Sequence, residues 1–185
     1  MYHVFELPGQ AGIKAYAADD DILWDVLEAR GYELPILSRH RTKRAAEKAC
    51  KVSEYEPIEH DGFSWLNGIE PGWNGSYIYI HTSPSSRCYV GRSIDPVRRW
   101  QKHINASEAG EMFDGGKTRA FTCAIRKYGA DRFTHQVVDF TDEVDPDFLE
   151  ICWIWYARGH RNLGGYTLRW GTGCLPGEGW YQNPE

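Results

Sequence analysis

The chain has 185 residues, enough to bury a substantial core in one domain or one domain with an extension. It holds eight Trp and eleven Tyr but two Met, no apolar run reaches membrane-spanning length, and no signal-peptide pattern opens it. Five cysteines, never spaced CxxC, argue against a disulfide framework or zinc site and for reduced thiols in a cytoplasm, while a net charge of −5 rules out a uniformly basic nucleic-acid binder.

Tyr2-His3-Val4-Phe5-Glu6-Leu7 reads as a strand ended by Pro8-Gly9. Asp20 or Asp21 caps a helix through Arg30, with Ile22, Leu23, Val26 and Leu27 as its buried stripe and Gly31 as its stop. Thr42 caps a second helix to about Lys51. There Ala45, Ala46, Ala49 and Cys50 form a small apolar face opposite Arg44, Lys48 and Lys51. Residues 53–75, rich in Glu, Pro, Gly and Asn, show little periodicity. Tyr77-Ile78-Tyr79 and Tyr89-Val90-Gly91 flank the turn formers Ser83-Pro84-Ser85-Ser86, so this stretch reads as a β-hairpin that brings Tyr79 and Tyr89 close.

Gly91 ends the second strand, and Asp95-Pro96 starts a helix with an N-cap and an N1 proline. Val97, Trp100 and Ile104 form its apolar stripe; Arg99 and His103 share another face. Asn105 to Gly116 reads as a polar loop. Thr118 to Tyr128 reads as a helix with Phe121, Ala124, Ile125 and Tyr128 inward and Gly129 after its end, and Phe133 to Phe140 as a strand. Asp145-Pro146 opens another helix that Gly159 ends, and Tyr166-Thr167-Leu168-Arg169-Trp170 reads as a last strand.

The hairpin and the helix after it place two phenols, a guanidinium and an imidazole together, a set suited to handling a phosphate. The arrangement resembles the GIY-YIG nuclease superfamily. Tyr89-Val90-Gly91 matches the second signature triplet, the step from that glycine to the family arginine lands on Arg99, and His103 occupies a position where the family often has His or Tyr. For the first triplet, Ile78-Tyr79 fits with a short turn and Gly75-Ser76-Tyr77 with a long one; Tyr79 is preferred, and Tyr77 stays open as the alternative. Lys127-Tyr128-Gly129 to Phe133 and the Trp153 helix are similar to phage and homing-type members, so the resemblance spans roughly residues 75–172.

Glu150 is the one acid in the apolar run from Phe148 to Trp155, and it lies where the family's metal-binding glutamate is expected. A hard oxygen anion suits Mg²⁺ or Mn²⁺, and Mg²⁺ tolerates a shell filled mostly by water and substrate phosphate. The resemblance implies phosphodiester hydrolysis by one attacking water, without a covalent intermediate. Tyr79 would act as general base, Arg99 would hold the scissile phosphate, Glu150 with the metal would stabilise the leaving oxygen, and Tyr89 and His103 would orient these groups. The family often has Asn after Gly-Tyr, where this chain has Thr167; Asn162 nearby is a possible substitute. The remaining histidines (His3, His40, His60, His81, His135, His160) show no metal-ligand spacing.

Charge is segregated along the chain. Residues 87–132 hold ten Lys or Arg (87, 92, 98, 99, 102, 117, 119, 126, 127, 132) against five acids (95, 108, 111, 114, 131). On the nuclease reading Arg92, Arg98, Lys102, Lys117 and Arg119, with Arg44 and Lys48 of the second helix, are the candidate DNA contacts. The expected architecture is a small α/β (α+β) core at 73–175, a three-stranded antiparallel sheet flanked by helices. An N-terminal elaboration occupies 1–72 and a tail 176–185. The expected function is a metal-dependent DNA endonuclease in a bacterial or phage-infected cytoplasm, acting on double-stranded DNA as monomer or homodimer. A phage or mobile-element role comes first, restriction second and structure-specific repair third. A DNA-binding module that has lost catalysis, or a nuclease acting on RNA, is the rival reading.

Overall fold

The computed structural model describes residues 1–8, 13–50, 75–110, 119–142, 144–158 and 164–167. These residues form a mixed α/β fold with two three-stranded antiparallel sheets and five α-helices.

In the first sheet β1 (Tyr2–Glu6) lies between β2 (Lys14–Ala18) and β3 (Ile36–His40). Neither β2 nor β3 was expected. Ala-rich Lys14–Ala18 has weak strand propensity, and Ile36–His40 shows no clean alternation; pairing with β1 makes both into strands. Helix α1 (Ile22–Arg30) starts where the Asp21 carboxylate accepts from the Leu23 amide, and it stops at Gly31, whose φ of 70° favours a residue without Cβ. Helix α2 (Lys43–Cys50) is capped by Thr42, whose Oγ1 accepts from the Ala45 amide at 3.3 Å. Its apolar face is narrower than expected: Ala46 is buried but Ala45 is exposed, and Glu47 accepts a hydrogen bond from the Tyr16 hydroxyl.

The second sheet has β4 (Ser76–Thr82) between β5 (Cys88–Ser93) and β6 (Thr134–Thr141). Gly91 does not end β5 but lies inside it, opposite Tyr79. Helix α3 (Pro96–Ala109) runs on through Asn105 and stops at Gly110. The polar loop expected from Asn105 is therefore helix as far as Ala109, because Ala106 and Ser107 are buried and Arg126 of α4 (Arg119–Tyr128) donates to the Ser107 carbonyl at 2.9 Å. Helix α5 (Pro146–Tyr156) begins at the Asp145 cap and is closed by Ala157 as its C-cap, with Arg158 next at φ 54°; Gly159, the expected stop, lies outside the described residues. Of the last expected strand, only Tyr166 and Thr167 are among the described residues. The linker at 53–74, the expected loop from 111 to 116 and the C-terminal tail lie outside them.

Alternation along the second sheet sorts its side chains into two layers. Ile78, Ile80, Val90 and Val138 join Leu149, Ile151 and Trp153 of α5 with Phe5, Leu23, Val26 and Leu27 of the N-terminal half in one apolar core. Tyr79 and Tyr89 join Trp100, Phe121, Ile125, Phe133 and Tyr166 in a second, aromatic core under α3 and α4. The N-terminal half is thus packed on α5 through a shared interior; Phe5 and Trp155 lie with ring centroids 5.4 Å apart.

Candidate active site

Gly91 sets the spacing of the two phenols. A Cβ there would stand 2.8 Å from the Tyr79 hydroxyl oxygen and 2.9 Å from a Tyr89 ring carbon, so only glycine lets both rings lie against β5. The ring centroids of Tyr79 and Tyr89 are 6.5 Å apart. Tyr77, on the same strand face, packs instead against Phe140 with centroids 4.7 Å apart.

Helix α3 is aimed by Asp95, whose carboxylate accepts from the Arg98 amide at 2.9 Å. This cap puts Arg99 and His103 on successive turns. His103 is not on the surface: it is fully buried, edge-on to Tyr89 at 5.2 Å and to Phe121 at 5.1 Å. Arg99 lies near both Tyr79 and Glu150, shifting the ionisation of each. Burial pushes the Tyr79 phenol well above its usual 10, Tyr89 adds to this, and Arg99 opposes it by charge and hydrogen bonding. In this state Tyr79 is a protonated phenol at neutral pH.

Glu150 projects from α5 toward the same place. Burial raises its carboxyl from 4.5 to about 7, against the pull of Arg92. The Arg92 Nε is 3.5 Å from Glu150 Oε2, and its terminal nitrogen is 3.0 Å from Asp147 Oδ1. Arg30, from the end of α1, reaches Asp147 Oδ2 at 3.4 Å. Three guanidiniums (Arg30, Arg92, Arg99) thus meet the carboxylates of Asp147 and Glu150, and Arg92 also acts on Asp145. Arg92, expected as a DNA contact, is engaged with acids. Asp147 and Arg30 carried no sequence signal, because only the fold brings residues 30, 92 and 147 together.

Among the described residues no group of three or more His, Cys, Asp or Glu could hold a metal ion. One carboxylate, contacted by Arg92 through a single oxygen, fits a hard cation only if water and substrate phosphate supply most of the shell, which Mg²⁺ accepts. Glu150 is the residue that would hold it.

Thr167, in the place where the family often has Asn, sits on the outer rim of β5. Its hydroxyl accepts from the Val90 amide at 3.0 Å and donates to the Val90 carbonyl at 3.1 Å. Asn162 lies outside the described residues. Behind Tyr79, buried His81 and His135 share a hydrogen bond, Nδ1 to Nδ1, of 2.7 Å. Burial holds His81 well below its usual range, with His135 and His103 adding to this, and brings His135 to about 4, so both imidazoles are neutral and structural. Arg98 and Lys102 are exposed on α3, and Arg44 and Lys48 on α2. Lys117 and the Arg119 side chain lie outside the described residues.

Residues 75–133 match the family described as the GIY-YIG catalytic domain. No curated protein and no solved structure matches the chain. The matched segment takes in the hairpin, α3, α4 and Phe133, but stops short of Glu150 and Thr167. It supports a place for this part of the chain in the GIY-YIG superfamily of nuclease-type domains.

Proposed function

We propose that the protein is a metal-dependent endonuclease that hydrolyses phosphodiester bonds in double-stranded DNA. The observation that favours this most is the meeting of Tyr79, Tyr89, Arg99 and Glu150, drawn from two strands and two helices. Arg99 holds the scissile phosphate and offsets the negative charge that grows in the transition state; its planar fork suits two phosphate oxygens. Glu150 holds Mg²⁺ or Mn²⁺, which when bound supplies Lewis-acid stabilisation of the leaving oxygen. Tyr79, once it has released its own proton to solvent, accepts the proton of the attacking water. Its burial opposes this, so it becomes a base only when the cationic charge nearby outweighs the desolvation. Tyr89 keeps the Tyr79 ring in place, and His103 packs behind Tyr89. Exposed Arg98, Lys102, Arg44 and Lys48 offer charge to the DNA backbone. A phage or mobile-element role is favoured by the style of the central segment, with restriction second.

A rival reading, a DNA-binding module without catalysis, draws on Thr167 in the usual asparagine place and on the arginine at Glu150. Plasmid DNA and a parallel RNA substrate, each incubated with protein and Mg²⁺ or Mn²⁺, separate the two. Cleavage of DNA that disappears in Arg99→Ala and Glu150→Ala supports the enzyme. Binding without cleavage by the unaltered chain refutes it, and cleavage confined to RNA refutes the choice of substrate.

A further inference from the structure

We infer that the N-terminal half is a working part of this site: through Arg30, Asp147 and Arg92 it fixes the carboxylate of Glu150, which makes Arg30 and Arg92 positioning residues. The inference rests on the reading of Glu150 as the metal-holding residue. The links form one continuous chain. Arg30 closes α1 and meets Asp147 at 3.4 Å; Asp147 meets Arg92 at 3.0 Å; Arg92 meets Glu150 at 3.5 Å. Each of these side chains is at most 22% exposed, so solvent screens the contacts little.

Two further contacts hold the same ends together. The Tyr32 hydroxyl, two residues past α1, donates to Asp145, the cap of α5, at 2.7 Å, and the Tyr32 ring stacks on Phe148 at 5.0 Å. At the far end of α5 the Trp155 indole donates to Asp21, the cap of α1, at 2.7 Å. Helices α1 and α5 are therefore cross-tied at both ends, and the rotation of α5, on which the aim of Glu150 depends, is set by the N-terminal half.

Stability alone gives little reason for such a chain, since buried ion pairs roughly break even against apolar packing. Its geometry suits positioning. Arg92 is closer to Asp147 than to Glu150 and touches one oxygen of the Glu150 carboxylate, so that carboxylate is oriented while an oxygen remains for a cation. Second-sphere partners of metal-holding carboxylates act in this way. Arg92 is accordingly a residue of the site's interior and not a phosphate contact.

The test uses the full chain with Arg30→Met, Arg30→Lys and Asp147→Asn. For Arg30→Met we expect kcat for DNA cleavage to fall by roughly 10-fold to 100-fold, with KM for DNA within about twofold. Mn²⁺ affinity measured by calorimetry should fall in parallel, and Arg30→Lys should recover part of both. Asp147→Asn breaks the same chain without removing an anchor of α1, and it stands in if Arg30→Met does not fold. Unchanged kcat and Mn²⁺ affinity in a folded variant overturn the inference. A metal-free readout keeps it separate from the nuclease reading: in EDTA, the Tm changes caused by Arg30→Met (or Asp147→Asn) and Glu150→Gln should be non-additive, and additivity overturns the coupling. If the unaltered chain cleaves no nucleic acid, the nuclease reading fails while this cycle still decides the coupling.

Discussion

Replacing Glu150 by Gln should remove cleavage and at the same time stabilise the metal-free protein, in a way that depends on pH. The carboxyl is 9% exposed, and burial raises it from 4.5 to about 7. Between those values the folded chain keeps a proton that the unfolded chain has released, so stability falls as pH rises through the window and the full loss is present above about 7. A displacement of this size corresponds to roughly 3 kcal/mol, with the attraction of Arg92 already included. A glutamine amide stays neutral throughout. Glu150→Gln should match the unaltered protein near pH 4.5 and exceed it by roughly 2–3 kcal/mol at pH 8, or roughly 5–10 °C in Tm for a chain of this size. Scanning calorimetry of both proteins in EDTA from pH 4.5 to 8.5 reads this directly. A Tm difference that stays flat across the range would refute the reasoning, because the carboxylate would then be ionised in the fold without penalty.

Other outcomes follow from the same geometry. Arg99→Ala should lower kcat by roughly 10²–10³-fold while leaving Tm within a few degrees, read by plasmid cleavage and thermal unfolding; an equal loss of binding and rate would point to uniform attraction for DNA instead. Gly91→Ala drives a methyl into both phenols, so it should cost roughly 1–3 kcal/mol and most of the activity, with disturbed tyrosine near-UV dichroism as the marker. Thr167→Val removes both hydrogen bonds to Val90 in a buried place and should cost roughly 2–4 kcal/mol by denaturant titration, whereas Thr167→Ser keeps them and should lose less than half as much.

Local chemistry carried much of this fold into view. The caps Asp21, Asp95 and Asp145, the stops Gly31 and Gly129 and the hairpin turn all act within a few residues, so they can be read without tertiary knowledge. Strands β2 and β3 could not be read, because Ala-rich or unpatterned segments become strands only beside β1. Asn105 looked like a loop start until Arg126, far along the chain, tied down the last turn of α3. At the candidate site, the closeness of Tyr79 and Tyr89 follows from the hairpin spacing, whereas the roles proposed for them, Arg99 and Glu150 rest on the resemblance. The acids that meet Arg92 lie more than fifty residues away on α5, and the buried His81–His135 pair is as widely separated, so neither contact is readable from the chain.

The hydroxyl of Thr167 has a consequence for assembly. Strand β5 is the margin of its sheet, and Thr167 takes up both peptide groups that Val90 turns outward, while the Tyr166 amide takes the Cys88 carbonyl at 2.8 Å. Along Cys88 and Val90 this margin is therefore closed to pairing with a strand from another molecule.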